Sequence, residues 1–302
     1  MRRRDALLSM AGGIAAAVRA STAQAASQTP RLAIGNYGMK SLPLEEAIRQ
    51  VAAIGFGGFE CCAVAEWDSE PVRMTADRRR TAAALLQDGG LRLTAVMENL
   101  PPQPDDERSR GVLARLREAI ALGRDLGGGR RPLVQTVLGG GAWDDVKEMF
   151  RDRLGAWADL ARQEDAVIAI KPHRFGAMST PGQAAWLIEQ LGSPERMRIV
   201  YDYSHYAFRD LPVDETIRQA SGLVAYVALK DAVQKDGKVS FALPGETATI
   251  DHAAIRTALE ATGYTGDFCC EVSGQVSQQP GYDPIKAAQA CHRRLAAAFA
   301  AP

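Results

Sequence analysis

The chain reads as α/β, a single (β/α)₈ (TIM) barrel, and three observations carry that reading. From residue 31 on, short apolar segments alternate with amphipathic ones eight times. Each pair averages about 35 residues, the size of one β/α unit. The turn after the first segment, GNYG (35–38), lacks the GxGxxG expected of a doubly wound sheet.

The elements follow in order. RLAIGNYG (31–38) is apolar enough for a buried strand. Ser41 is positioned to cap the helix that keeps Leu44, Ala47, Ile48, Val51 and Ala52 on one face. FGGFECC (56–62) is the second strand, followed by a helix over 75–86. LRLTAVMEN (91–99) is the third, with a helix over 108–126. RPLVQTVL (131–138) precedes a helix whose stripe runs Val146, Met149, Phe150, Leu154, Trp157, Leu160. AVIAIKPH (166–173) is the fifth strand, and Thr180-Pro181 caps and opens the next helix. RIVYDYSH (198–205) and LVAYVALKD (223–231) are strands separated by a helix near 213–220. Asp251 caps a helix carrying Ile255 and Leu259. DFCCEVSG (267–274) is the last strand, and a helix from 284 to 300 closes the chain.

Residues 1–25 read as an export signal. Arg2, Arg3 and Arg4 precede a weakly apolar stretch, RRDALL (3–8) is similar to a twin-arginine signal, and Ala23-Gln24-Ala25 supplies a cleavage pattern. The barrel then occupies 26–302, and the expected location is the periplasm or cell envelope. The whole chain carries 36 basic and 36 acidic residues; cleavage would leave a formal charge of −3. Neither value suits a protein that binds nucleic acid by neutralising phosphates. No uninterrupted apolar run reaches 18 residues, so the mature chain is not expected to insert in a membrane. A homo-oligomer is left open. Of the 5 cysteines, Cys61-Cys62 and Cys269-Cys270 are vicinal. Neighbours on a strand face opposite ways, so neither pair should bridge internally, and buried thiols are the simplest expectation.

In such a barrel the chemistry gathers at the C-terminal ends of the strands. Charged residues interrupt the apolar runs there: Glu60, Lys171, His173, Asp202, Lys230 and Glu271, with His205 just beyond Asp202. A buried charge is costly unless paired, so their recurrence at corresponding positions marks a site. Lys171, Asp202, His205, Glu271 and Lys230 are the catalytic candidates, with Asp202 and Glu271 as base candidates. Glu60, His173, Trp143, Tyr37 and Tyr203 are the substrate-binding candidates, and Trp67 and Tyr206 also fall near strand ends. Flat aromatic faces there suit a carbohydrate or polyol. Trp157 and Trp186 sit on helix stripes and read as core. GGGAWDD (139–145) fits either a lid or a plain connection.

The segment GETATIDHAAIRTALEATGYTGDFCCEV (245–272) resembles the end of the xylose-isomerase-like barrels, a group of sugar epimerases, hydroxypyruvate isomerases and inosose dehydratases. GFGGFE (55–60), YDYSH (201–205) and LKDA (229–232) resemble its second-, sixth- and seventh-strand motifs in the same order. The resemblance implies proton transfer next to a carbonyl on a sugar, keto-sugar or polyol, giving isomerisation, epimerisation or elimination. It also implies a divalent metal held by Glu, Asp, His and Glu on strands five to eight. Asp202 and Glu271 match that set, whereas Lys171 and Ala228 stand where the family has its first Glu and its His. The expectation is therefore no cofactor, with Lys171 taking the place of the metal. A shifted metal site of Asp202, Glu271, His205 and His173 is the alternative, and a non-catalytic carbohydrate-binding barrel is another. The three-metal nucleases of this fold need more histidines than the 4 present.

Overall fold

The computed structural model describes residues 31–299; the export signal read at 1–25 lies outside them. Eight parallel strands close into a barrel. They are β1 (Leu32–Gly35), β2 (Gly58–Cys62), β3 (Arg92–Met97), β4 (Leu133–Thr136), β5 (Val167–Ile170), β6 (Met197–Tyr201), β7 (Val224–Leu229) and β10 (Phe268–Cys270). They pair in chain order, and β10 returns to β1 through Ile34 opposite Cys270. The main outer helices are α1 (Leu44–Ile54), α2 (Ala76–Asp88), α3 (Asp106–Leu126), α4 (Trp143–Gln163), α5 (Pro181–Gln190), α6 (Val213–Ala220), α7 (His252–Ala261) and α9 (Pro284–Phe299). A one-turn α8 (Gly274–Ser277) follows β10.

Alternation along the strands divides the buried residues into two layers. Ala33, Ala95, Ala169, Val200, Tyr226, Ala228 and Cys269 fill the barrel interior, and the larger apolar set packs between strands and helices. Small side chains leave room inside for the one large ring of Tyr226. Cys269 belongs to the inner layer and Cys270 to the outer, as vicinal strand positions must. All five cysteines are buried thiols.

Two caps form as the sequence predicts. The Thr180 hydroxyl accepts from the Gln183 amide while Gln183 bonds back to Thr180, a capping box at α5, and Asp251 accepts from the Ala254 amide at α7. Ser41 does not cap α1. That helix starts after Pro43, and the Asp68 carboxylate, from the loop after β2, takes the Leu44 amide at 2.7 Å.

Several strands are shorter than their apolar runs. The ends of the first and sixth coil into 3₁₀ turns, Asn36–Met39 and Tyr203–His205, which carries those residues over the barrel mouth. Beyond the expected elements, β8 (Asp231–Lys235) and β9 (Lys238–Ala242) form an antiparallel hairpin after β7. Its turn, Asp236-Gly237, has positive φ at both residues (50° and 73°), the conformation a two-residue hairpin requires and Asp-Gly supplies. The buried Asp231 secures the following segment, accepting from the Gly245 and Thr247 amides and lying 2.7 Å from His252 Nε2. The family-like tail therefore serves, in this chain, to hold the hairpin and the start of α7 together.

Candidate active site

The closed order of strands sets the site's geometry. β5, β6, β7 and β10 are consecutive around one half of the barrel, and β1 to β4 form the other half. The first half delivers Lys171, Asp202, Lys230 and Glu271, all buried. The second delivers Tyr37, Glu98 and Gln135 across the mouth, with Glu60 below Gln135.

The four charges of the first half interlock. Lys171 Nζ lies 2.9 Å from Asp202 Oδ2 and bonds Glu271 Oε2. Lys230 Nζ lies 2.7 Å from the same Asp202 oxygen and 2.5 Å from Glu271 Oε1. Each carboxylate is thus bridged by both ammonium groups, and the quartet is neutral as a whole. Burial would push Lys171 toward the neutral amine, but Asp202 and Glu271 outweigh it and raise its pKa. Burial likewise opposes the charge on Glu271, yet the two lysines hold its pKa down at about 2. Asp202 is likewise held well below its ordinary value by Lys171 and Lys230, against the same penalty. Carboxylates so stabilised as anions are weak bases, which weighs against the base role read for Asp202 and Glu271.

His205 is fully buried behind the quartet. Its Nε2 is 3.1 Å from Lys230 Nζ, and its Nδ1 is 3.2 Å from the Arg174 amide. Burial first, then Lys230, lowers its pKa and keeps it neutral. It packs against Lys230 and does not line the cavity, which weighs against the acid/base role read for it from the sequence. Asp202 is as deeply enclosed.

A cavity of about 380 Å³ opens above Lys171, Lys230 and Glu271. His173 lines one side; its Nδ1 accepts from the Phe175 amide at 3.3 Å, so the neutral ring carries its proton on Nε2. Burial and the two lysines lower its pKa to about 4. Tyr37 and Trp67 stack at 5.2 Å and only 9° from parallel, forming a flat opposite wall. Phe241, brought in by the hairpin, covers Lys230 at 4.8 Å and packs on His205. Glu60 lies outside the lining, beneath Gln135, whose amide donates to it at 2.6 Å. Burial, with Glu271 adding to it, raises the Glu60 pKa to about 7.

Two aromatic candidates lie elsewhere. Trp143 begins α4 and meets Trp186 edge-on at 5.7 Å, lining a separate outer groove with Gln183 and Leu211. The Tyr203 hydroxyl donates to the Leu211 carbonyl, which turns the ring away from the cavity. Tyr206 is wholly buried against Tyr201, and Trp186, read as core, is only partly so. Among the described residues a larger furrow of about 650 Å³ lies by the strands' N-terminal ends, lined by Arg31, Arg92 and Arg130, on the face where barrels carry no chemistry.

Glu98, Gln135 and Phe241 are among the lining residues that go beyond those read from the sequence. Glu98 is 3% exposed and pairs with Arg115 Nε at 2.7 Å; burial raises its pKa against that pairing. Its signal is the one that marks Glu60, an acid closing an apolar strand. β3 and β7 are diametrically opposed, so Glu98, just after β3, lines the cavity on the side opposite Lys230.

This architecture and floor define a small-molecule barrel with a charge-paired site at the strands' C-terminal ends. The model of the xylose isomerase-like TIM barrel family matches residues 48–295, and the chain belongs to that family. An L-ribulose-5-phosphate 3-epimerase, UlaE, of Salmonella paratyphi A is 24% identical over 278 residues, covering 86% of this chain and 94% of the relative. Among solved structures, the IolI protein with a bound zinc atom superposes with a TM-score of 0.73 at 16% identity, covering 89% of this chain and 98% of that one. The 3-keto-D-glucoside 4-epimerase YcjR from E. coli gives 0.67 at 15%, covering 89% and 100%.

Zinc in such a neighbour raises the question of a metal here. Asp202, His205 and Glu271 do place ligand atoms within 4.8 Å of one another. The same two carboxylates, however, hold both ammonium groups. His173, the fourth member of the shifted set, lies outside that cluster. An ion could take these ligands only with Lys171 and Lys230 displaced, and in the observed geometry the set does not fit a divalent cation.

Proposed function

We propose that this chain is a sugar isomerase/epimerase-type enzyme that works without a metal, its two lysines supplying the positive charge. The observation that carries the reading is the insertion of the Lys171 and Lys230 ammonium groups between Asp202 and Glu271. The sugar epimerases among its relatives support the reaction class.

A substrate carbonyl would accept the one Lys171 N–H not taken by a carboxylate. Glu98, across the cavity and made more basic by burial, would remove the proton from the adjacent carbon. That C–H electron pair becomes the C=C bond of an enediolate, and the carbonyl π pair moves to oxygen, beside Lys171. Charge developing there meets a fixed cation in a water-poor site, where such stabilisation counts most. His173 Nε2–H would return a proton to the same carbon from the other face to epimerise, and the ring would regain one from the protonated Glu98 through solvent. To isomerise, the neighbouring carbon takes the proton while the hydroxyl proton on the first carbon passes to the former carbonyl oxygen. Reprotonation by Glu98 itself resets the substrate.

Export is part of the same proposal. It is supported by the basic start and the Ala-Gln-Ala pattern, and it places the substrate in the cell envelope.

Proton exchange gives the test. Chelator-treated protein in D₂O, presented with ketohexoses and keto-glycosides, should place deuterium next to the carbonyl, as NMR would show, and Lys171→Met should abolish it. Exchange that appears only after divalent metal is added would overturn the metal-free reading.

A further inference from the structure

We infer that the cavity takes an uncharged carbohydrate and excludes phosphorylated sugars; the inference rests on the proposed function and narrows its substrate class. The observation behind it is that every cation at the cavity is already matched. An ammonium has three donors. Lys230 Nζ has Asp202 and Glu271 within 2.7 Å, and Lys171 Nζ has the same two carboxylates, so each ammonium's charge is matched and at most one N–H of each is left, the one on Lys230 facing His205 Nε2 at 3.1 Å. Arg115 does not reach the cavity as a free guanidinium. It bonds Glu98 and Glu70, at 2.7 and 2.9 Å. At the mouth Lys40 is tied to Glu66 at 3.0 Å and lies over Trp67.

Recognition of a phosphate dianion needs several convergent charged donors, typically a guanidinium fork or a run of backbone amides. Among the described residues lining the cavity there is no arginine, and Glu98 adds a carboxylate to the wall. A dianion would therefore enter without a counter-charge. What the cavity offers instead is single-point polar groups (Tyr37 hydroxyl, Gln135, Asn99, Ser273) between aromatic faces. That set matches hydroxyls alternating with C–H surface. The wall also continues outward, because Phe175 packs 6.0 Å from Phe241 and 5.8 Å from His173 yet is 59% exposed. A glycoside's second ring or aglycone, lying beyond the polar floor, would cover it.

Two measurements decide the matter. Calorimetry should compare D-fructose, D-psicose and D-tagatose with their 6-phosphates, each ester binding at least about tenfold more weakly than its parent. An ester that binds as tightly as its parent, or more tightly, overturns the inference. Separately, thermal unfolding in inorganic phosphate and in chloride at matched ionic strength should agree within about 1 °C. A phosphate stabilisation of several degrees, removed by Lys171→Met, also overturns it. Both are binding readouts. Ester binding with deuterium exchange intact would sink this inference alone, whereas neutral-sugar preference without exchange would sink the proposed function alone.

Discussion

Replacing Lys171 by Met tests the charge quartet while keeping most of the side chain's volume. With the ammonium gone, Asp202 and Glu271 share only Lys230, and a buried negative charge is left over. Breaking one partner of a buried ion pair typically costs about 3–5 kcal/mol. The structure gives a similar figure by another route. Glu271 is held near 2 instead of its ordinary 4.5, which corresponds to about 3 kcal/mol at neutral pH. The sign follows from the direction: a depressed carboxylate stabilises the fold above its unfolded pKa and loses that contribution as pH falls through the folded value. Wild type should therefore weaken from about pH 4.5 down toward 2. In the variant the carboxylate's pKa climbs back, so most of that contribution is already missing at pH 7. Urea unfolding between pH 3 and 8 should show a deficit of about 3 kcal/mol at pH 7 that shrinks as pH drops below 4.5. Adding Glu271→Gln, which removes the surplus charge, should recover at least about 1 kcal/mol at pH 7. A deficit below about 1 kcal/mol, or one that stays constant with pH, would refute the reasoning.

Glu98→Gln should lower turnover at least about 100-fold, as expected for loss of a general base, while Tm changes by only a few degrees because Arg115 keeps Glu70. Turnover kept near the wild-type level with Tm lowered by more than that would point instead to a structural role. Trp67→Ala should weaken ketose binding in calorimetry about tenfold, whereas Trp143→Ala, in the outer groove, should leave it unchanged. Gly58→Ala should cost about 1–3 kcal/mol in denaturant unfolding, since its new methyl would lie 2.6 Å from Thr94 Cγ2 and 2.9 Å from Ala33 Cβ. Mass spectrometry of protein from the native cell envelope should find chains beginning near Ala26; a dominant species retaining Met1 would count against export.

The barrel was legible because its strands are apolar on both faces and its helices on one, so the two periods alternate plainly along the chain. The quartet was legible for a related reason. Lys171 in IAIKPH and Asp202 in IVYDYSH are charges set in apolar strands, and only mutual pairing makes them tolerable. The hairpin is less visible, since its alternating Val233, Val239 and Phe241 run on from β7 and resemble a strand tail. Its Asp-Gly turn is the signal that separates them. Depth at the mouth is not written in the sequence. Glu60, His205 and Tyr203 occupy strand ends like those of Glu98 and Lys171, and only tertiary packing decides which side chains line the cavity. The Ser41 cap shows the same limit, because the group that bonds the first turn of α1 is Asp68, 24 residues beyond Leu44.

Metal content measured together with turnover bears most directly on the central claim. Protein produced without a tag or chelator should carry well under one divalent ion per chain by mass spectrometric metal analysis. Its turnover of a keto-sugar should survive dialysis against EDTA and be lost in Lys171→Met. One tightly held ion per chain, with activity that vanishes on its removal and returns on its addition, would contradict the account.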